Sequence, residues 1–131
     1  MLRNKTILTA DDDAQVRLAL RTRLTAEGCN VIEASDGLGA IAKCRAGGVD
    51  ALILDHQMPL GEGGEIVRNL RTFTRAPIIF LSGMNRDDFR DIVHNTPDTY
   101  FLPKPVDYSR LNHLLCSLLE ESPDGPSCSV R

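Results

Sequence analysis

With 131 residues the chain has the length of one domain, enough to bury roughly two-thirds of the surface its unfolded form exposes. It is 42% hydrophobic and 25% charged, lacks tryptophan and carries a formal net charge of -3; with no run of lysines or arginines along a helix face, nothing favours nucleic-acid binding. Near the N-terminus, Ile7-Leu8 is interrupted within a few residues by three aspartates, which argues against a signal peptide or membrane span and for a cytoplasmic protein. Cys29, Cys44, Cys116 and Cys128 have no CxxC spacing and no histidine at metal-ligand spacing, so they read as reduced thiols.

In chain order, the first strand is expected over about 6–10, where Ile7-Leu8-Thr9-Ala10 ends in Asp11-Asp12-Asp13. A helix over 14–27 follows, with Val16, Leu20 and Leu24 on one stripe and Gly28 as its stop. Arg17, Arg21 and Arg23 read as its solvated side, a basic docking face being the alternative. A strand at 30–34 leads to a helix at 37–46 with Leu38, Ile41 and Ala42 inward, ended by Gly47-Gly48. The third strand, 50–54, is the unbroken apolar run Ala51-Leu52-Ile53-Leu54, closed by Asp55; a helix at 64–72 carries Ile66, Val67 and Leu70. The fourth strand, 77–81, is closed by Ser82-Gly83 and precedes a helix at 86–95 with Phe89, Ile92 and Val93. A fifth strand at 99–102 and a helix at 107–121 complete the series. That helix has Asp107 as N-cap and Leu111, Leu114, Leu115, Leu118 and Leu119 along it, mostly core, although such a helix can also show an apolar strip to a partner.

The runs at 51–54 and 78–81 lack period-two alternation, as expected of strands covered on both faces. Five strand-then-helix units imply an α/β fold with an open, doubly wound five-stranded parallel sheet and helices on both faces. Residues 122–131, Ser-Pro-Asp-Gly-Pro-Ser-Cys-Ser-Val-Arg, have the composition of a flexible tail or linker.

In such sheets ligands bind beyond the carboxyl ends of the strands, where Asp11, Asp12 and Asp55 all fall. An unpaired charge is costly to bury, so Asp55 is expected at the mouth of its strand rather than in the core. Carboxylates crowded together repel, which raises a pKa or calls for a cation; Mg²⁺ suits a site of few protein oxygens and several waters. Asp13 reads instead as a helix cap. Ser82 adds a hydroxyl, and Lys104, held between Pro103 and Pro105, adds an ammonium. Together these groups describe a phosphoryl site with a carboxylate nucleophile.

The set Asp11-Asp12, Asp55 with Met58-Pro59 and Gly63, Ser82-Gly83, and Phe101 with Lys104-Pro105 resembles the response-regulator receiver domains of two-component signalling (CheY-like), over about 5–121. The resemblance implies a receiver domain within residues 1–121, a flavodoxin-like strand order of 2-1-3-4-5, and Asp55 as phosphoacceptor. The donor would be the phosphohistidine of a sensor histidine kinase or phosphotransfer protein, or a small phosphodonor. Mg²⁺ would be held by Asp12, Asp55 and the backbone carbonyl of Gln57, with Asp11 acting largely through water. Ser82 and Lys104 would meet the phosphoryl group, across a cis Lys104–Pro105 bond. Phe101 would turn inward and switch the surface of the fourth helix, fifth strand and fifth helix, which is also a possible homodimer face. An output domain or partner protein would read that surface.

Three features depart from the family pattern. Phe101 lacks a tyrosine hydroxyl, Gln57 and Met84 occupy rim positions that tune loss of the phosphoryl group, and His94–Thr99 replaces a small-residue turn. His56, His94 and His113 have no partner at useful spacing and read as ordinary surface or half-buried residues. The expected function is a switch, not an enzyme with a separate substrate. A haloacid-dehalogenase-type phosphatase would need a second aspartate where Gln57 stands; a degenerate receiver used only for docking would not need all five site positions. Gly61-Glu62-Gly63-Gly64 has the wrong spacing for a nucleotide loop.

Overall fold

Five strands are present in the computed structural model: β1 (Thr6–Ala10), β2 (Asn30–Ala34), β3 (Ala51–Asp55), β4 (Ile78–Ser82) and β5 (Thr99–Pro103). They form one parallel sheet in the order β2-β1-β3-β4-β5. The structure describes residues 2–55, 68–72, 74–83 and 98–119. Within these lie α1 (Ala14–Ala26), α2 (Gly37–Arg45), a helical stretch at 68–70 and the C-terminal helix Tyr108–Leu119. The helix expected at 86–95, most of that expected at 64–72, and the tail at 122–131 lie outside the described residues. Among the described residues no helix is long and apolar enough to cross a membrane.

The sheet separates two apolar clusters. On one face Leu20 and Leu24 of α1 and Leu111 and Leu115 of the C-terminal helix pack with Ile7, Ile53 and Ile79. On the other, Ala40 and Cys44 of α2 and Leu70 pack with Leu8, Leu52, Leu54 and Phe80. Successive side chains of β3 thus enter different clusters and all are buried, which is why the strand reads as an unbroken apolar run. Phe80 is fully buried; truncation to alanine would cost about 3–5 kcal/mol, a large part of a stability of roughly 5–15 kcal/mol.

Three local expectations are corrected. β3 and β4 each start and end one residue later than the expected 50–54 and 77–81, so Asp55 and Ser82 are their last residues. Main-chain pairing is indifferent to side-chain polarity and continues through them: Asp55 pairs in register with Leu81, and Ser82 with Pro103. On α2, Ile41 packs half-buried against the core as expected, but Ala42 is exposed, Leu38 is 61% exposed, and the buried residues are Gly37, Ala40 and Cys44. These small residues, capped by Asp36 accepting from the Gly39 N–H at 2.7 Å, bring the helix close to β1 and β2. The α1 arginines are also more engaged than a plain solvated side: Arg17 and Arg21 pair with Glu33, and Arg23 stacks 4.7 Å over the Tyr108 ring.

The expected caps are in place. Asp13 accepts from the Gln15 N–H at 2.8 Å, and Asp107 from the Ser109 and Arg110 N–H groups at 3.0 and 3.2 Å. Gly28 ends α1 at φ 93°, and a Cβ there would lie 3.1 Å from the Arg3 backbone; the stop at this position therefore requires glycine.

Candidate functional site

The parallel sheet delivers the carboxyl ends of β1, β3 and β4 to one edge, with β5 ending alongside. Asp11 follows β1 directly, and Asp55 closes the adjacent β3; their side chains are only 2% and 6% exposed. Asp12 is exposed. One carboxylate oxygen from each of Asp11, Asp12 and Asp55 can be chosen so that all three lie within 4.8 Å of one another. Asp55 thus lies deeper than a strand mouth implies, buried as the last residue of β3.

Lys104 supplies the opposing charge. Its Nζ lies 3.1 Å from Asp11 Oδ2 and 3.4 Å from Asp55 Oδ1. Its backbone N–H donates to the Ser82 carbonyl at 2.8 Å, continuing the β4–β5 pairing, and the Lys104–Pro105 bond is cis. Burial alone would depress the lysine pKa, but the hydrogen bond and charge of Asp11, with the charge of Asp55, outweigh it and hold the pKa raised. Asp11 is also raised. Burial is the main cause and the Asp55 charge adds to it, while the Asp13 N–H at 2.9 Å and Lys104 act in the opposite direction.

Ser82 is 1% exposed, and it belongs to the side of β4 that carries Ile78 and Phe80. Half-buried Phe101 packs on that same side and pairs in register with Phe80. Ser82 and Phe101 therefore share one face of neighbouring strands. His113 is exposed on the C-terminal helix. Gln57, Met84, His56 and His94 lie outside the described residues.

Arg17, which the sequence places on the solvated side of α1, reaches the acidic turn instead. Its Nη1 donates to the backbone carbonyl of Asp11 at 2.5 Å. Helical spacing alone places it one turn beyond Asp13, near the acidic turn, and that was the available signal.

Residues 7–115 match the response regulator receiver domain family. The chain is 34% identical over 102 residues to the response regulator GtcR of Aneurinibacillus migulanus, covering 78% of this chain and 42% of that protein. It spans about half, or less, of the length of the curated relatives it matches. The chemotaxis protein CheY4 of Vibrio cholerae superposes with a TM-score of 0.81 at 27% identity, over 88% of this chain and 99% of that one. The receiver domain of the sensor histidine kinase PA1611 from Pseudomonas aeruginosa shares the fold, with a TM-score of 0.79 at 23% identity over 88% of this chain and 98% of that one. With its sheet order and its match to the receiver model over most of its length, the chain belongs to the response regulator receiver domains of two-component signalling.

Proposed function

We propose that Asp55 is the phosphoacceptor of this receiver and takes its phosphoryl group from the phosphohistidine of a sensor histidine kinase or phosphotransfer protein. The observation that carries this reading is a buried Asp55 carboxylate clustered with two others and 3.4 Å from the Lys104 ammonium. An Asp55 oxygen attacks phosphorus. The new O–P bond forms as the N–P bond to the donor imidazole breaks, and the bonding pair stays on the ring nitrogen. The acyl phosphate adds about one to two negative charges, and Lys104 is already beside the oxygen that would carry them. The group modified is the protein's own side chain, so this is a switch and not an enzyme with a separate substrate.

The donor set fits Mg²⁺: every side-chain ligand is an oxygen, the Lys104 ammonium lies beside only two of the three clustered carboxylates, and the Asp11 carboxyl is raised. Asp12 and Asp55 would hold the ion, with the Gln57 carbonyl, and with Asp11 through water. The PA1611 receiver domain is described with a magnesium ion coordinated in its active-site cleft. When bound, the ion neutralises charge on the phosphoryl oxygens.

Ser82 is the hydroxyl that would meet the phosphoryl group. Because it shares a face with Phe101, drawing Ser82 toward Asp55 frees volume on the side where Phe101 packs, and Phe101 turns inward. The surface built from β5 and the C-terminal helix then reports the state of Asp55 to an output domain or partner protein.

The test is labelling with a small phosphodonor or beryllofluoride in the presence of Mg²⁺, read by mass spectrometry. One aspartate is expected to react, and Asp55→Asn abolishes the signal. Full labelling of that variant would refute the assignment.

A further inference from the structure

The peptide units on both sides of Asp11 are tied to strand β2. The Asp11 N–H donates to the Ala34 carbonyl at 3.2 Å. The Asp11 carbonyl accepts from Arg17 Nη1 at 2.5 Å, while Arg17 Nε pairs with Glu33 Oε1 at 3.5 Å. Glu33 is fixed in its turn: Arg21 pairs with its other oxygen at 3.0 Å, and Lys43 of α2 donates to its backbone carbonyl. The Asp11 carbonyl belongs to the same planar unit as the Asp12 nitrogen. Rotation of that plane would swing the Asp12 side chain out of the carboxylate cluster.

We infer that Arg17, braced by Glu33, is a positioning residue that locks the Asp11–Asp12 peptide plane and so keeps Asp12 aimed at the cation site. This rests on the reading of Asp11, Asp12 and Asp55 as the Mg²⁺ site. Among the described residues Arg17 forms no hydrogen bond or ion pair with a candidate ligand side chain; it acts on the backbone between two of them. Its pairing with Glu33 also offsets a guanidinium charge that would otherwise oppose a cation at the same turn. Groups that orient ligands in this indirect way commonly govern affinity by about 10–100-fold.

The experiment compares wild type, Arg17→Ala, Arg17→Lys and Glu33→Gln by Mg²⁺ titration and by amide hydrogen exchange of the metal-free protein. Arg17→Ala is expected to weaken Mg²⁺ binding about tenfold. Arg17→Lys restores part of it, since a lysine can reach the carbonyl but cannot also fork onto Glu33, and Glu33→Gln falls between. In metal-free Arg17→Ala the Asp11 and Asp13 amides exchange faster, while the Leu8 amide in the centre of β1 stays at the wild-type rate. Unchanged Mg²⁺ affinity in Arg17→Ala overturns the inference, as does a rise at Leu8 equal to that at Asp11 and Asp13, which marks general destabilisation. Wild-type protein that ignores Mg²⁺ overturns the reading of the site instead; the clamp is then decided by exchange alone, and unchanged Asp11 and Asp13 rates overturn it.

Discussion

Asp11 and Lys104 stand 93 positions apart in sequence, yet Lys104 Nζ lies 3.1 Å from Asp11 Oδ2. The contact joins the end of β1 to the segment after β5, across the width of β3 and β4. Because the same ammonium also lies 3.4 Å from Asp55, one cation is shared between the most buried carboxylate among the described residues and the proposed phosphoacceptor. Added charge on Asp55 would shift that sharing toward Asp55, and the Lys104 backbone would carry the change to Ser82, whose carbonyl accepts its N–H.

Replacing Lys104 by methionine leaves two buried carboxylates without their ammonium. Breaking a buried pair from one side costs about 3–5 kcal/mol, and the 27% exposure of Lys104 reduces the expected loss to about 1–3 kcal/mol at neutral pH. The lysine pKa is raised in the fold, so its contribution is full below the ordinary value of 10.5 and is lost as pH rises through the higher folded value. Urea unfolding of wild type and Lys104→Met should show a gap at neutral pH that closes at strongly alkaline pH. Equal stability at neutral pH would reduce the contact to a surface pair.

The Asp11 pKa is also raised, but in its case the charged form is the disfavoured one. Its carboxyl is raised by burial and by the Asp55 charge, so its favourable contribution is full below 3.8 and is lost as pH rises through the folded value. At neutral pH, without metal, the ionised carboxylate therefore weakens the fold. Asp11→Asn retains an oxygen for the Asp13 N–H and removes the charge. In EDTA the variant should melt at a higher temperature than wild type at pH 7, with the difference vanishing toward pH 3. Added Mg²⁺ should raise the melting temperature of wild type more than that of the variant. A variant less stable than wild type at pH 7 would show that the Lys104 and Asp13 contacts outweigh burial.

Much of this architecture was legible in the chain because parallel strands covered on both faces leave an unambiguous trace: apolar runs closed by a polar residue. Asp11, Asp55, Ser82 and Lys104 each stand at such a closure, and the sheet order brings the ends of their strands together. The strand ends themselves were misjudged by one residue, since Asp55 and Ser82 interrupt hydrophobicity without interrupting hydrogen bonding. The inward face of α2 was legible only in part: Ile41 packs inward, but Leu38 does not, because periodicity favours large residues whereas close packing there selects Gly37, Ala40 and Cys44. The contact of Arg17 with the acidic turn was not legible for another reason: its partner there is a backbone carbonyl, and a side chain's bond to a carbonyl has no counterpart residue type in the sequence.

Thr9 lies within β1, fully buried, with no hydrogen-bond partner for its hydroxyl among the described residues. It lies in register with Ile53 of β3. A buried hydroxyl without a partner costs roughly 1–3 kcal/mol relative to an apolar group of the same shape. Thr9→Val keeps the shape and should raise the urea midpoint, by about 1 kcal/mol in stability, without altering phosphodonor labelling at Asp55. A loss of stability would mean that an ordered water satisfies the hydroxyl, because only a partner makes its removal unfavourable.

Cys29 is 6% exposed, its thiol faces the Leu2 carbonyl at 3.6 Å, and burial, helped by the Glu27 charge, pushes its pKa up to about 11. In the unfolded chain the thiol titrates near 9.0. The fold therefore retains its proton through a range in which the unfolded chain loses it, and the contribution of Cys29 to stability declines from pH 9 to 11. Over that range the decline amounts to about 2–3 kcal/mol. Two consequences can be measured. At pH 8 the native Cys29 should react with a thiol reagent far more slowly than the same residue in urea, and Cys29→Ala should lose less stability than wild type between pH 8 and pH 11. Parallel alkaline unfolding of the two proteins would show that another group, not this thiol, sets the limit.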